Sequence, residues 1–414
     1  STQNHSNTKQ RQPNQSNHTN EQLAINQELR DNDDLHIGAT DKNLGPFIME
    51  RDAYLQQCFN EHLLVPRNYQ QLSKEEALRH IYEVKQEIEH LHGLSGTVRG
   101  KRTPEQTYFE RSLADAKRIP QFYAMPKVHK AKLKFRPVIS ACGSPLEVES
   151  KFLDFHLQRV IHLCPAHLKD SAGLIDQLQQ LGPLPPNARL ITADAVSMYT
   201  NIDTDYGLEV MKKWLALHAT ELPEDFPTKK ILRGLTLVMK NMVFQLNDTY
   251  WLQKTGTAMG TSVACSYATI FYSFHEETAI LIPNNGLGIL FYRRYIDDAF
   301  IIQLLNDNHF SKLHTTMNTF GDDPDKRLAW EVEEPSDSVN FLDLTISLTL
   351  KGTLSFRTYQ KPMNLYLYIP PHSAHPPSVI KGLIHGSIRR FWKCNTLKED
   401  FITVTKEFFQ HLIS

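Results

Sequence analysis

Three aspartates stand where apolar strands would otherwise run on. In FYRRYIDDAFII, residues 291–302, Asp297 and Asp298 follow Phe291, Tyr292, Tyr295 and Ile296 and precede Ala299, Phe300, Ile301 and Ile302. A hairpin with a two-residue polar turn at Asp297 and Asp298 accounts for the polarity, although Asn-Gly or Asp-Gly suits a tight turn better. A second account gives the pair a task, holding a divalent cation where two strands meet. Asp194 supplies a third carboxylate. It follows Leu190, Ile191 and Ala193 at a strand end, where a buried carboxylate wants a partner, a cap or a cation. Carboxylates from a strand end and a hairpin tip are the hard oxygen donors that two Mg²⁺ ions about 4 Å apart require. Such ions activate a 3′-hydroxyl, hold a triphosphate and stabilise the leaving pyrophosphate.

Other residues have types that would serve the same chemistry. Tyr199 lies five residues after Asp194, an offset at which its ring can sit under a sugar and exclude a 2′-hydroxyl. Ordinary packing accounts for it equally well. Thr257-Ala258-Met259-Gly260 has little bulk at its glycine, which lets a nucleotide lie against backbone; a plain strand-to-helix turn has the same composition. MPKVHKAKLKFRPVIS, residues 125–140, alternates basic and apolar residues as a hairpin does. Lys127, Lys130 and Arg136 are placed there to reach several phosphate charges.

The elements that must position these groups are legible in outline. At 414 residues the chain is long enough for two or three domains. It is 41% hydrophobic and 22% charged, with no apolar run near the length of a membrane helix and no signal-peptide pattern. It begins with Ser1 rather than Met, which fits a fragment or a processed product. Cys58, Cys142, Cys164, Cys265 and Cys394 are odd in number and scattered, as expected of reduced thiols inside a cell. The formal charge is −1, yet residues 99–136 hold eleven Lys/Arg against three acids, and residues 351–414 hold nine against three. Two basic blocks flank an acidic middle, and a local basic patch is what binds a phosphate backbone. Solvated basic faces would look the same.

Residues 1–30 are rich in Asn, Gln, Ser, Thr and His, and this composition predicts disorder. A helix is expected over 72–93, with Ser73 and Glu76 as a capping box and Leu78, Ile81, Val84, Ile88 and Leu91 on one face. Further helices are expected at 146–163, 171–181, 208–219 and 229–241, and a buried one at 262–277. Strands are expected near 190, at 250–253, across 289–302 and near 339–348. A basic, mostly helical segment follows the Pro-rich 370–377 stretch. His372-x-x-His375 and Cys164-x-x-His167 have metal-like spacing, but each is a lone pair and zinc needs four ligands.

Taken in order, these segments resemble the reverse transcriptases of Penelope-like retroelements. ATDKN, with Asp41 and Lys42, is similar to that family's N-terminal "ADKG" segment. FYAMPKVHK and FRPVISACGSP resemble its fingers motifs, KDSAGLIDQL the segment before the first palm strand, and ADAVSMYTNI the motif of the first aspartate. GTAMGTSVACSYATIFYSFHEE is similar to the motif B helix and YRRYIDDAF to the catalytic hairpin. VNFLDLTISL and YQKPMNLYLYIPPHSAHP resemble the palm–thumb junction.

The resemblance spans roughly residues 40–395 and implies an α+β right-hand polymerase fold, related to telomerase catalytic subunits. Beside the disordered low-complexity tail that composition gives over 1–35, it implies an N-terminal extension and fingers over 36–185, a palm over 186–350 with part of the fingers at 206–248, and a palm–thumb junction and thumb over 351–414. It also implies an RNA-directed DNA polymerase that takes an RNA template, a DNA primer and dNTPs. Asp194, Asp297 and Asp298, with the Ala195 carbonyl, would hold two Mg²⁺ ions, with Mn²⁺ as a substitute. Lys127 and Arg136 would grip the triphosphate, Tyr199 would gate the sugar, and Met259 and Gly260 would lie along the nucleotide. A nuclear location is expected if the source is eukaryotic, and no membrane partner is expected.

The segment TDKN departs from the family pattern and leaves the roles of Asp41 and Lys42 open. The chain stops at Ser414 without a GIY-YIG nuclease motif, as a truncated or nuclease-lacking type would. Three other classes fit parts of the pattern. One is a nucleic-acid-binding derivative that has lost catalysis, against which the complete aspartate set counts. Another is an RNA-templated RNA polymerase, against which Tyr199 counts. A metal-dependent nuclease would not need the basic 125–140 hairpin.

Overall fold

Residues 188–195 alternate two sets of buried side chains, and this decides how the molecule is layered. Ala188 and Leu190 join one apolar cluster, while Ile191, Ala193 and Ala195 join another. A strand that is apolar on both faces belongs inside a sheet covered on both sides. In the computed structural model of the chain it lies there. The structure describes residues 19–95, 101–128, 132–257, 259–306, 308–319, 328–362, 364–369, 373 and 375–413. The central antiparallel sheet runs Trp330–Val332, Ala188–Ala195, Asp298–Leu304, Ile289–Tyr295.

One face of this sheet meets the main core, to which helices Pro145–Gln158, Thr204–Leu217, Thr228–Lys240 and Ala264–His275 contribute Leu153, Met211, Leu235 and Phe271. The other face sets Leu190, Phe300 and Ile302 against Phe341, Leu344, Ile346 and Phe356. Those residues come from a three-stranded sheet of Ser338–Phe341, Leu344–Leu348 and Leu354–Thr358. A five-stranded sheet stands apart, in the order Tyr69–Leu72, Thr249–Gln253, Val243–Leu246, Gln121–Pro126, Phe135–Ser140. A two-stranded hairpin, Leu35–Ala39 with Pro46–Glu50, precedes it in the chain. At the end, helices Pro377–Cys394 and Lys398–Ile413 enclose a small cluster of Phe391, Val404, Phe408 and Leu412.

The expected capping box forms. Ser73 Oγ accepts from the Glu76 amide at 3.1 Å and Glu76 Oε2 accepts from the Ser73 amide at 2.8 Å, starting helix Lys74–Leu91. Its inward face is Ala77, Ile81, Val84 and Ile88, whereas Leu78 is 49% exposed. The 262–277 expectation is met by Ala264–His275, with Tyr267, Ala268, Phe271 and Tyr272 buried.

Two readings need correction. Asn20–Asp31, expected to be disordered, is a helix opened by a Thr19–Gln22 capping box. It buries no side chain, so local capping rather than packing accounts for it. The strand region expected near 339–348 is divided into a hairpin, turned at Leu342 with φ +54°. All five cysteines are free thiols. Among the described residues no helix is long and apolar enough to cross a membrane.

Candidate active site

Antiparallel pairing sets the aspartates side by side. The register puts Asp194 opposite Asp298, Ala193 opposite Ala299 and Ile191 opposite Ile301. Directly opposed residues project from the same face of a sheet, so the two carboxylates leave it together. The Ala195 amide donates to the Asp297 carbonyl at 2.9 Å and holds this end of the register. Glu331 lies opposite Asp194 on the other neighbouring strand. Below these acids the face carries the buried Leu190, Phe300 and Ile302, so it turns acidic where its apolar cover ends. Asp194, Asp298, Glu331 and Glu333 line a cleft of about 250 Å³.

The turn differs from the expected one. Ile296 and Asp297 form it, and Asp298 is already the first residue of the returning strand. Ile296 has φ +54°, a left-handed conformation costing a β-branched residue about 1–3 kcal/mol. Arg294 holds it there. The side chain is fully buried; Nη1 donates to the Ile296 carbonyl at 2.8 Å and Nη2 to the Thr269 carbonyl at 2.9 Å. Nε and Nη2 also pair with Glu276, itself fully buried, and Tyr292 donates to the same carboxylate at 2.9 Å. Burial opposes the arginine's charge, but Glu276 outweighs it and the pKa is raised. Tyr292 and Arg294 therefore fasten the tip to the Ala264–His275 helix and to Glu276 just after it.

Asp194 was expected to be buried and is exposed. The strand buries Ala188, Leu190, Ile191 and Ala193, but its outer face is uncovered at Asp194. Tyr199 sits in the short helix Met198–Asn201, after Ser197 at φ +49°. Burial first, then Cys265 and Asp297, raise its pKa, while Arg136 pulls it down. Its carbonyl accepts from the Thr257 amide at 2.6 Å. A Cβ on Gly256, at φ +82°, would stand 3.0 Å from that same oxygen, so a glycine lets the 255–257 turn lie against the tyrosine's backbone.

Met259 and Gly260 contact the Phe135–Ser140 strand, and Gly260 is also exposed. The Met259 carbonyl accepts from the Ile139 amide at 2.7 Å, and a Cβ on Gly260 would lie 2.4 Å from the Ile139 oxygen. Ala258 lies outside the described residues, as does Lys130. Lys127 opens the loop after Gln121–Pro126, its amide donating to the Lys134 carbonyl at 2.7 Å, and its charge is felt at His62. Arg136 lies opposite Met125 in the hairpin, with Nε 3.2 Å from Asp41 Oδ1.

Sequence reasoning missed Glu331, Lys361 and the partner of Arg136. Glu331 and Glu333 alternate with the inward Trp330 and Val332, a two-residue period that could have revealed them. Lys361 and Asp298 line one cleft of about 930 Å³ with Arg389, Arg390 and Lys393, which ties the C-terminal basic block to the aspartates. Part of that charge is already matched, since Arg390 pairs with Asp343 and Lys393 with Asp176 at 2.8 Å.

The donors gathered here are all oxygens, the type Mg²⁺ takes. Among the described residues no group of three or more His, Cys, Asp or Glu could hold a metal ion unaided. Mg²⁺ ordinarily uses one or two carboxylates and completes its octahedron with water and substrate phosphates. A facing pair of carboxylates fits that ion. Burial, and then Asp297 beside it, push the Asp298 carboxyl above the usual carboxylate range, while Lys361 and Lys42 pull it back. A cation would favour the ionised form of this group.

No family model and no curated protein matches the sequence. Among solved structures the chain is similar to telomerase from Candida albicans in complex with a TWJ fragment of telomeric RNA. Identity there is 12%, with 95% of this chain and 65% of that chain covered and a TM-score of 0.59. It is also similar to apo telomerase from Candida tropicalis, at 11% identity, 91% and 64% coverage and a TM-score of 0.53. The chain spans just under two thirds of either protein. Likeness at this identity speaks to the fold: an α+β, right-hand polymerase architecture of the telomerase and reverse-transcriptase kind.

Proposed function

We propose that the chain is an RNA-directed DNA polymerase of the Penelope-like retroelement type, extending a DNA 3′ end on an RNA template with dNTPs. The observation that carries this reading is the register that sets Asp194 opposite Asp298 on the central sheet of a telomerase-like fold. Asp194, Asp297, Asp298 and the Ala195 carbonyl are the groups that would hold Mg²⁺, or Mn²⁺ in its place. Two such ions, when bound, would activate the primer hydroxyl and offset charge on the leaving pyrophosphate. The chain's own residues orient the reactants. Arg136 and Lys127 take the triphosphate, and Tyr199 excludes a 2′-hydroxyl. The cleft beside Asp298, with Lys361 and Arg389 in its wall, takes the backbone of the template–primer duplex, an affinity that is independent of sequence and weakened by salt. Such an enzyme works inside the cell, in the nucleus of a eukaryote.

Primer extension on an RNA template with purified protein tests the reading, wild type beside Asp194→Ala. Incorporation by wild type and its loss in the variant by about a thousandfold or more is expected. Incorporation that survives Asp194→Ala refutes the assignment. A second reading is a binding protein without catalysis, which the basic cleft shared by Lys361, Arg389 and Asp298 would serve equally well. Duplex binding without incorporation in either Mg²⁺ or Mn²⁺ would decide for it.

A further inference from the structure

The N-terminal hairpin carries a buried acid into the neighbourhood of the aspartates. Strands Leu35–Ala39 and Pro46–Glu50 are joined by a loop closed on Gly45, whose carbonyl accepts from the Thr40 amide at 3.0 Å and from the Thr40 hydroxyl at 2.7 Å. Helix Arg51–Cys58 anchors the hairpin. Tyr54 stacks on His36 with centroids 3.6 Å apart, meets Phe135 edge-on, and its hydroxyl accepts from the Ala124 amide at 2.7 Å. The loop is thereby fixed against the Gln121–Ser140 hairpin, beside Arg136.

Asp41, in that loop, is 3% exposed. A buried carboxylate is costly without partners, and this one is only half satisfied. Oδ1 faces Arg136 Nε at 3.2 Å, while Oδ2 is buried with no hydrogen-bond partner. The Arg136 side chain keeps 41% of its exposure. A guanidinium has five N–H donors, one on Nε and four on the two Nη groups. Asp41 engages the Nε edge, so the pair holds the side chain without using the groups that suit phosphate. The next residue, Lys42, is exposed, adopts φ +61°, and lines a cleft with Lys361.

We propose that Asp41 is a positioning residue for nucleotide capture: it holds the Nε edge of Arg136 so that both Nη groups meet the phosphates of an incoming nucleoside triphosphate. The proposal rests on the polymerase reading above. It gives the TDKN segment its role. The acid aims the arginine, and the lysine after it adds positive charge on the Asp298 side. Lysine could not replace Arg136 here, because a point charge paired with Asp41 has no second edge to present.

Steady-state extension on a preformed RNA–DNA template–primer tests this, with Asp41→Asn, Arg136→Gln, Arg136→Lys and the Asp41→Asn/Arg136→Gln double variant. Asp41→Asn is expected to raise the KM for dNTP about tenfold, with kcat and duplex affinity within about twofold. Arg136→Gln should raise it at least as much, and the double variant no further, because one residue acts through the other. An unchanged KM for Asp41→Asn, or effects that multiply in the double variant, would overturn the proposal. Should Asp41→Asn fail to fold, Arg136→Lys decides, since it leaves Asp41 with a cation: a KM raised as in Arg136→Gln supports positioning, and a wild-type KM overturns it. Failure of the polymerase reading is visible separately, as a wild-type protein that extends nothing.

Discussion

Asp194 and Asp298 are opposed across neighbouring antiparallel strands, and the bond from the Ala195 amide to the Asp297 carbonyl, 2.9 Å long, closes the end of that ladder. A slip of one residue would turn Asp298 to the main core and bring Ala299 to the acidic face. That slip would carry the Asp298 carboxylate into the apolar core, where a charge without a partner is costly, so the cost of burying the acid keeps the carboxylates at the strand end.

Asp297→Asn keeps the size of the turn residue and removes its charge. Extension is expected to fall about a thousandfold while template–primer affinity, followed by anisotropy, changes little. Near wild-type extension would remove Asp297 from the chemistry.

Tyr199→Ala removes the ring next to Asp297 and keeps the backbone that Thr257 holds. The ratio of rNTP to dNTP incorporation should rise about tenfold or more. A ratio that stays at the wild-type value would make Tyr199 a packing residue.

Arg294→Met leaves Glu276 ionised, buried and unpaired, and frees Ile296 from its restraint. Removing one partner of a buried pair costs about 3–5 kcal/mol, and urea denaturation should show a loss of that size. A loss below about 1 kcal/mol would mean that the hairpin tip is held by something else.

Asp298 links activity to pH, and the sign follows from its raised pKa. The folded state binds this proton more tightly than the unfolded chain does. The group therefore costs no stability below the unfolded carboxylate pKa, and a penalty grows as pH rises through the folded one. Cation binding needs the ionised form, so activity should fall on acidification at a higher pH than for an ordinary aspartate. Asp298→Asn should abolish extension and raise the melting temperature at pH 7 more than at pH 4. A shift of equal size at both pH values would contradict this origin.

Much of the fold could be read from periodicity and capping, because those signals act over a few residues. Ser73 and Glu76 start their helix as expected, and the 262–277 stretch is a buried helix because small and aromatic residues occupy every side of it. The hairpin of Asp297 and Asp298 was legible from apolar runs, but its turn lies one residue earlier than expected. Polarity favoured Asp297-Asp298, whereas the buried Arg294, far away in local sequence terms from Thr269 and Glu276, stabilises Ile296 in a conformation that propensity disfavours. Asp41 could not be assigned from sequence, because its partner Arg136 is brought to it by two hairpins docking. Gly260 was read as room for a ligand; it is exposed, and on one side the Ile139 backbone approaches it.

That approach has a mechanical consequence. The amide of Ile139 and the carbonyl of Met259 share a 2.7 Å bond just ahead of the helix that carries Phe271 and Tyr272 through the main core. Any swing of the arginine-bearing hairpin away from the sheet must either break that link or drag the helix with it. The hairpin that carries Arg136 and the helix that carries Phe271 are thus geared together, and a lesion that loosens one should be felt as slack in the other.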